Sequence, residues 1–318
     1  MTNRIVLSSD HVDSHGDVMT KAALESVAKI INGDRKVRCT VDHKRDLPSW
    51  GKLINARVEE IDGHYYLTAE QIEYDIYEDV DWNKDLIKAS CSHNEQPFND
   101  PDFDIPASLE LSADPQNFRN YSEFRNYFNF IKSSDVDIKT QEFGRKALIN
   151  DPEVVLRIAE YYFIYKLLKP TIDKTTKKIS DKISDNLTED TVKLYDFIKK
   201  SIKKFMLKAI PKNRPINYVI KLPGNPEIEL FANITDAEKL IGALKPSKLK
   251  KVRDEIDQIS ENVLFEKIQF TLTEKGKWKF NFLQTDKGET IGRKTSFKKR
   301  DHLLELVKKK EKNKHNNA

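Results

Sequence analysis

The stretch KLINARVEEIDGHYYLTAEQI, residues 52–72, predicts a β-hairpin and with it the character of the first part of the chain. Apolar and polar residues alternate on both sides of Asp62-Gly63, and an Asp-Gly pair is a strong sequence signal for the tight turn of a hairpin. Upstream, KVRCTV (residues 36–41) alternates in the same way. KAALESVAKIING (residues 21–33) has the apolar spacing of a helix, with Gly33 as its stop. The first half is therefore predicted to be rich in strands.

The composition is that of a folded protein with a heavily charged surface. Of the 318 residues, 38% are apolar and 33% are charged, which excludes wholesale disorder. Cys39 and Cys91 are too few for a disulfide framework or a four-thiolate zinc site. A cytoplasmic, reducing setting is the simplest interpretation, and the first residues have no apolar segment typical of a secretory signal.

The most apolar helical pattern is VVLRIAEYYFIYKLL, residues 154–168. It contains Arg157, Glu160 and Lys166, and a membrane-spanning helix needs about 20 mostly apolar residues. We therefore expect a buried or interfacial helix here and no transmembrane span.

Charge divides the chain into two predicted domains. Residues 1–150 contain 18 Lys and Arg against 27 Asp and Glu, a balance of −9, whereas residues 151–318 contain 37 against 24, a balance of +13. The pattern changes at the same point. We predict an α+β fold with a β-rich domain at residues 1–150 and a basic domain at residues 151–318. The second domain is expected to be helical at 151–210, mixed α/β at 215–308 and disordered at 309–318. Within the mixed part, FEKIQFTLTEKGKWKFNFLQT (residues 265–285) predicts a hairpin that turns at Lys275-Gly276.

Four segments of the first domain carry residues with chemical potential. Asp13-Ser14-His15-Gly16-Asp17 precedes the first helix, and Asp42-His43 precedes the turn Pro48-Ser49-Trp50-Gly51. Ser108-Leu109-Glu110-Leu111 begins a later strand pattern, and ALINDP at residues 147–152 closes the series. In this order the segments resemble the phage prohead maturation proteases, which are relatives in fold of the herpesvirus assemblins. The resemblance covers about residues 1–155.

The resemblance implies a partly open barrel with flanking helices and a serine endopeptidase that cleaves itself or one protein partner, in a prophage-derived or other bacterial protein. His43 would be the general base and Ser108 the nucleophile, since an imidazole with a pKa near 6.5 can take the proton of a serine hydroxyl at neutral pH. Asp42 is the candidate third member of the triad.

One residue departs from the family pattern. The serine strand of these proteases reads roughly Ser-Ile-Gly-Phe, and Glu110 stands here in place of the glycine. A carboxylate beside a developing oxyanion would oppose catalysis. Ser112 and the cluster Cys91-Ser92-His93 are competing nucleophile positions. The alternative function is therefore an inactive protease-like fold that binds a partner.

A metal site is considered and disfavoured. His11, Asp13, His15 and Asp17 alternate, so on a strand they would share one face and could bind zinc. Gly16 interrupts such a strand, which favours a polar loop whose aspartates cap the following helix. No metal and no cofactor are predicted.

The basic second domain predicts an anionic partner. Lysines are interleaved with Trp278, Phe280, Phe282 and Phe297, a pattern that can bind phosphates and stack bases. The same alternation fits the apolar face of a sheet. Nucleic acid, an anionic protein and a membrane surface all stay open as partners.

Overall fold

The structure is a computed structural model and describes residues 3–12, 18–41, 44–98, 109–143, 151–158, 168, 189–212 and 214–315. Within these ranges the protein is a mixed α+β structure, as predicted. It forms two compact units. The first combines Met1–Pro101 with Phe282–Ala318, and the second is Asp102–Asn281.

The described elements are numbered in chain order. The strands are β1 (Asn3–Ser9), β2 (Val37–Cys39), β3 (Gly51–Ile61), β4 (His64–Glu73), β5 (Ile76–Val80), β6 (Asn83–Ser90), β7 (Leu109–Ala113), β8 (Ile138–Glu142), β9 (Glu153–Arg157), β10 (Ile216–Leu222), β11 (Glu227–Ile234), β12 (Lys267–Leu272), β13 (Trp278–Gln284) and β14 (Thr290–Arg293). The helices are α1 (Lys21–Ile31), α2 (Tyr121–Lys132), α3 (Glu189–Lys208), α4 (Ala237–Ala243), α5 (Pro246–Ser260) and α6 (Lys294–His315).

A four-stranded antiparallel sheet in the order β1–β4–β3–β2 organises the first unit. Asp62 and Gly63 join β3 to β4 with φ values of 52° and 79°, the left-handed conformations that a type I′ turn requires. The predicted hairpin is confirmed. In the same unit β6 pairs with β5 on one side and with β14 on the other.

Helix α1 packs on the four-stranded sheet. Its buried side chains and those of β3 and β4 form one core cluster that contains Leu24, Ala28, Ile31, Leu53, Leu67 and Ala69. The hydroxyl of Thr20 caps the helix by accepting a hydrogen bond from Ala23 N at 3.2 Å. The N-cap is therefore Thr20, and the prediction that an aspartate of residues 13–17 caps this helix is wrong.

The second unit is built on strands in the order β12–β11–β10–β9–β7–β8. Parallel pairs (β11–β12, β9–β10 and β7–β8) alternate with antiparallel pairs (β10–β11 and β7–β9). Helix α2 contributes Phe124, Tyr127 and Phe128 to a buried aromatic cluster that includes Phe118 and Phe205. Three of the five aromatic residues of α2 are therefore core residues, whereas Tyr121 and Phe130 are exposed.

The compact units do not coincide with the predicted boundary at residue 150. Strand β9 follows that point in the sequence, yet it pairs with β7 before it and with β10 after it. A cut at residue 150 would therefore separate paired strands. The start of the helix predicted at residues 154–168 is also wrong, because residues 153–157 form β9, and residues 159–167 lie outside the described residues.

Two predictions for the C-terminal region have different outcomes. The hairpin at Lys275-Gly276 is confirmed, since Thr273 N donates to Lys277 O at 2.9 Å and Gly276 has a φ of 66°. The disordered tail at residues 309–318 is wrong as far as His315, where α6 ends.

Four of the charged side chains that are buried in the sheet of the second unit form one network, and we call them the buried charge quartet. Lys221 lies on β10, Glu227 and Glu229 on β11, and Lys267 on β12, and none is more than 3% exposed. Lys267 Nζ lies 2.5 Å from Glu227 Oε1 and 3.3 Å from Glu229 Oε2. Lys221 Nζ lies 3.6 and 3.8 Å from Oε2 atoms of the same two residues. The two positive and two negative charges cancel.

Replacing Lys267 by methionine should leave two buried carboxylates facing one ammonium group. Breaking a buried ion pair from one side costs about 3–5 kcal/mol, so the free energy of unfolding should fall by that amount. Lys279→Met is the matched control, because Lys279 is exposed on β13 and the same substitution should change stability by less than about 0.5 kcal/mol. Equal urea midpoints for the two variants would contradict a structural role for the quartet.

Candidate functional site

The predicted catalytic residues Asp42, His43 and Ser108 lie outside the described residues. Their flanking strands are described. Strand β2, before Asp42, belongs to the four-stranded sheet, and β7, after Ser108, pairs with β8 and β9. These two strands belong to different sheets, whereas the predicted triad expects neighbouring strands. The catalytic assignment stays a prediction.

The turn after His43 is firmly anchored. Ser49 is 1% exposed, and its Oγ lies 3.0 Å from Cys39 O and 2.7 Å from Gly51 O. Trp50 N donates to Cys39 O at 3.1 Å. A Cβ atom on Gly51 would lie 2.0 Å from Ile72 O, so only glycine fits this position. The turn therefore has a single well-defined backbone path.

Arg300 lies on α6, in the second of the two sequence segments that form the first unit, and it contacts this turn. Its side chain is 2% exposed, and Nη1 donates to Ser49 O at 2.7 Å while Nη2 lies 3.2 Å from Tyr77 Oη. Its guanidinium carbon also lies 4.8 Å from the centre of the Phe297 ring. The basic pattern around residue 300 suggested an anionic partner, but Arg300 itself is a structural residue.

Lys52 has the perturbed pKa that is typical of functional lysines, and its contacts identify it as structural. Burial disfavours the ammonium form and lowers its pKa to about 8. Its Nζ donates to Asn94 O and Gln96 O, both at 2.7 Å, and to Asn94 Oδ1 at 3.1 Å. These three acceptors use all the donors that an ammonium group has. Lys52 therefore ties the loop after β6 to β3.

Glu110, the departure from the protease pattern, is paired with a cation. It lies directly opposite Arg157 across the β7–β9 pair, and Arg157 Nη1 donates to Glu110 Oε1. The two side chains are 18% and 22% exposed. Ser112 Oγ donates to the same oxygen at 3.4 Å. The carboxylate thus has its charge offset by a guanidinium on the next strand.

The competing nucleophiles are not activated in the structure. Burial raises the pKa of Cys91 to about 11, so its thiol is protonated at neutral pH. Ser92 donates both its hydroxyl and, at 2.8 Å, its backbone N–H to Asp75. These hydrogen bonds lower the pKa of Asp75. Ser112 is buried and donates to Glu110.

Asp10, His11 and His64 come together at one end of the four-stranded sheet, and we call them the His–Asp cluster. Asp10 follows β1, and His64 is the first residue of β4, which pairs with β1. His64 Nδ1 lies 3.0 Å from Asp10 Oδ1, and the rings of His11 and His64 stack with their centres 3.9 Å apart. Partial burial would raise the pKa of Asp10, but hydrogen bonds from Tyr65 and His64 and the nearby imidazoles lower it. Both histidines are about half exposed.

Sequence reasoning missed this cluster because it considered His11 together with Asp13, His15 and Asp17 and not with His64. Asp13, His15 and Asp17 lie outside the described residues. His64 is exposed at the start of β4. The signal that could have found the cluster is the pairing of the first strand with the second strand of the hairpin, which brings residues 10 and 64 together.

The basic side chains and the aromatic side chains of the second half are separated in space. Phe280 and Phe282 are buried on β13 and Phe297 is buried on α6, so core packing explains all three and base stacking does not. Helix α3 instead carries lysines outside and apolar residues inside. We call Lys193, Lys199, Lys200, Lys203 and Lys204 the lysine face of α3. The buried side of the helix consists of Leu194, Phe197, Ile198, Ile202 and Phe205.

The lysine face borders a cleft of about 290 Å³ between α3 and the end of α2. Lys193 and Lys200 line it together with Asp196, Ser133 and Ser134. Ser133 and Ser134 donate to the backbone oxygens of the last turn of α2. The charged groups that line the cleft are the ammonium groups of Lys193 and Lys200 and the carboxylates of Asp135 and Asp196, so the cleft presents charges of both signs.

Comparison with known proteins gives no match, whether with protein-family models, with curated proteins or with solved structures. The resemblance to prohead proteases therefore rests on the sequence segments alone. No helix in the described part of the chain is long and apolar enough to cross a membrane.

A double-mutant cycle measures the coupling between Glu110 and Arg157. Because both side chains are largely buried, Glu110→Gln and Arg157→Met should show a coupling energy of about 1–2 kcal/mol in urea unfolding. The control cycle uses Arg57 and Glu59 on β3, whose pair is more exposed and should couple by less than about 0.5 kcal/mol. Equal coupling in the two cycles would contradict a special role for the Glu110–Arg157 pair.

Proposed function

We propose that the protein is a binding protein with a protease-like fold whose second unit holds nucleic acid through its phosphate backbone. The lysine face of α3 carries this proposal. Residues 197–226 contain eight Lys or Arg and no acidic residue, and one of the eight, Lys221, belongs to the buried charge quartet. A surface with this local charge attracts polyanions, and the attraction is strongest at low salt.

The geometry of α3 favours contacts with phosphates over contacts with bases. Lys199, Lys200 and Lys203 follow one another on the exposed side, four residues of helix span about 6 Å, and each ammonium group acts as a flexible point charge. Lys203 pairs with Glu238, and Lys204 Nζ lies 5.1 Å from the centre of the Phe130 ring, so these two are partly held by the protein. Contacts of this kind give binding that depends on salt and little on sequence.

The supporting experiment replaces Lys199, Lys200 and Lys204 together by glutamine and measures binding to single-stranded and double-stranded oligonucleotides by fluorescence anisotropy. Each lost phosphate contact should reduce the slope of log K against log salt by about 0.7–0.9. The triple variant should therefore bind at least about tenfold more weakly at low salt, with a slope lower by about 2–3.

The matched control makes the same charge change in the first unit, at the exposed residues Lys29, Lys84 and Lys287. It should bind like the wild type. If both triple variants lose the same amount of binding affinity, net charge alone explains the binding and the lysine face has no specific role. A wild-type protein that binds neither oligonucleotide at low salt would overturn the proposal.

A serine endopeptidase that cleaves itself or one protein partner is the second candidate function. The anchored turn that follows His43 favours it, because a general base has to be held in a fixed position relative to its nucleophile. The buried Ser49 and Arg300 fix the backbone of this turn. The pairing of Glu110 with Arg157 also weakens the objection that a free carboxylate stands beside the oxyanion site.

A serine-directed fluorophosphonate probe tests this second candidate. If Ser108 is the nucleophile and His43 its base, the wild type should be labelled, and Ser108→Ala and His43→Ala should each abolish labelling as fully as the double variant does. Ser92→Ala is the control and should keep the label, since Ser92 donates to Asp75. A folded wild type that takes no label between about pH 6 and 9, where a neutral imidazole is available, would overturn the peptidase.

A further inference from the structure

The His–Asp cluster combines the donor atoms of a metal site. Asp10 Oδ1 lies 3.0 Å from His64 Nδ1 and 4.0 Å from His11 Nδ1, and one ligand atom of each residue lies within 4.8 Å of the others. Two ligand atoms bound at about 2.0–2.2 Å to a tetrahedral ion are roughly 3.3–3.5 Å apart. The observed separations lie on either side of that value, so small rotations of exposed side chains bring the three atoms into position.

We propose that Asp10, His11 and His64 bind one divalent transition-metal ion of the zinc type. Two imidazole nitrogens and one carboxylate oxygen are ligands that suit zinc, copper and nickel, whereas magnesium and calcium prefer oxygen ligands alone. The proposal is independent of nucleic-acid binding and of peptidase activity.

The backbone already holds two of the three ligands near each other. Asp10 N donates to Tyr65 O at 3.0 Å, which fixes the end of β1 against the start of β4. His11 and His64 stack at 3.9 Å, and the His11 ring also lies 5.4 Å from the ring of Tyr66. The stacking thus places the two rings side by side, next to the carboxylate of Asp10.

The outer side of the cluster is open. His11 and His64 are about half exposed, so the ion keeps at least one position for water or for a group of a bound partner. Ser9 Oγ lies 3.2 Å from His11 Nδ1, and binding of that nitrogen to the ion replaces this contact. An open site with three protein ligands is the arrangement found in metal sites that exchange their fourth ligand.

The experiment is a calorimetric titration of the full-length, tag-free protein with zinc chloride. One ion should bind per chain, and His64→Ala and His11→Ala should each weaken its affinity by at least about tenfold, because losing even an outer partner of a ligand costs about 10–100-fold. Asp10→Asn keeps the size of the side chain but replaces the carboxylate by a neutral amide, so it should also weaken zinc binding. Zinc should raise the melting temperature of the wild type and leave that of His64→Ala unchanged.

His302→Ala is the matched control, since His302 is exposed on α6 of the same unit, and it should bind zinc like the wild type. Magnesium and calcium chloride should give no binding heat. The proposal is overturned if the wild type binds no zinc, or if His11→Ala and His64→Ala bind it as tightly as His302→Ala does.

Discussion

The buried charge quartet sets the register of the three strands at the centre of the second unit. Lys221 lies opposite Glu229 in the antiparallel pair β10–β11, and Glu227 lies opposite Lys267 in the parallel pair β11–β12. A slip by one residue would move a charged side chain to the other face and leave its partners uncompensated in a medium of low dielectric. The network continues outward, because Gln269 Nε2 donates to Glu229 Oε1 at 2.6 Å. The sheet that carries α3 therefore has one permitted alignment.

The first unit buries two cations that donate to backbone carbonyls. Lys52 donates to Asn94 O and Gln96 O, and Arg300 donates to Ser49 O and also pairs with the carboxylate of Asp301. Burial disfavours the ammonium form of Lys52, which is why its pKa falls to about 8. Lys52 and Arg300 thus add to the basic composition of the sequence, but their role is to hold loops in place. The charge of a chain overstates the charge available to a partner whenever part of it is buried in this way.

Local patterns predicted the local structure, and non-local pairing decided the rest. The pairs Asp62-Gly63 and Lys275-Gly276 predict the two hairpins correctly, because the type of a turn is determined by a few adjacent residues. The sequence pattern at residue 150 did not reveal that β9 takes partners from both sides of this point. Short apolar runs such as residues 153–157 fit a strand or a helix equally well. The His–Asp cluster depends on the register of β1 against β4, which no single segment encodes.

The first unit is assembled from the two ends of the chain, with the whole second unit between them. During synthesis the N-terminal strands leave the ribosome first. Strand β6 cannot pair with β14, and Ser49 cannot accept the hydrogen bond from Arg300, until those later residues have been synthesised. The second unit is a continuous segment and can complete its folding earlier, since domains fold as units during synthesis. The turn beside His43 is then among the last parts of the molecule to become rigid. Nascent chains would carry an unfinished first unit until α6 has been synthesised, so any activity that needs this turn begins only after that point.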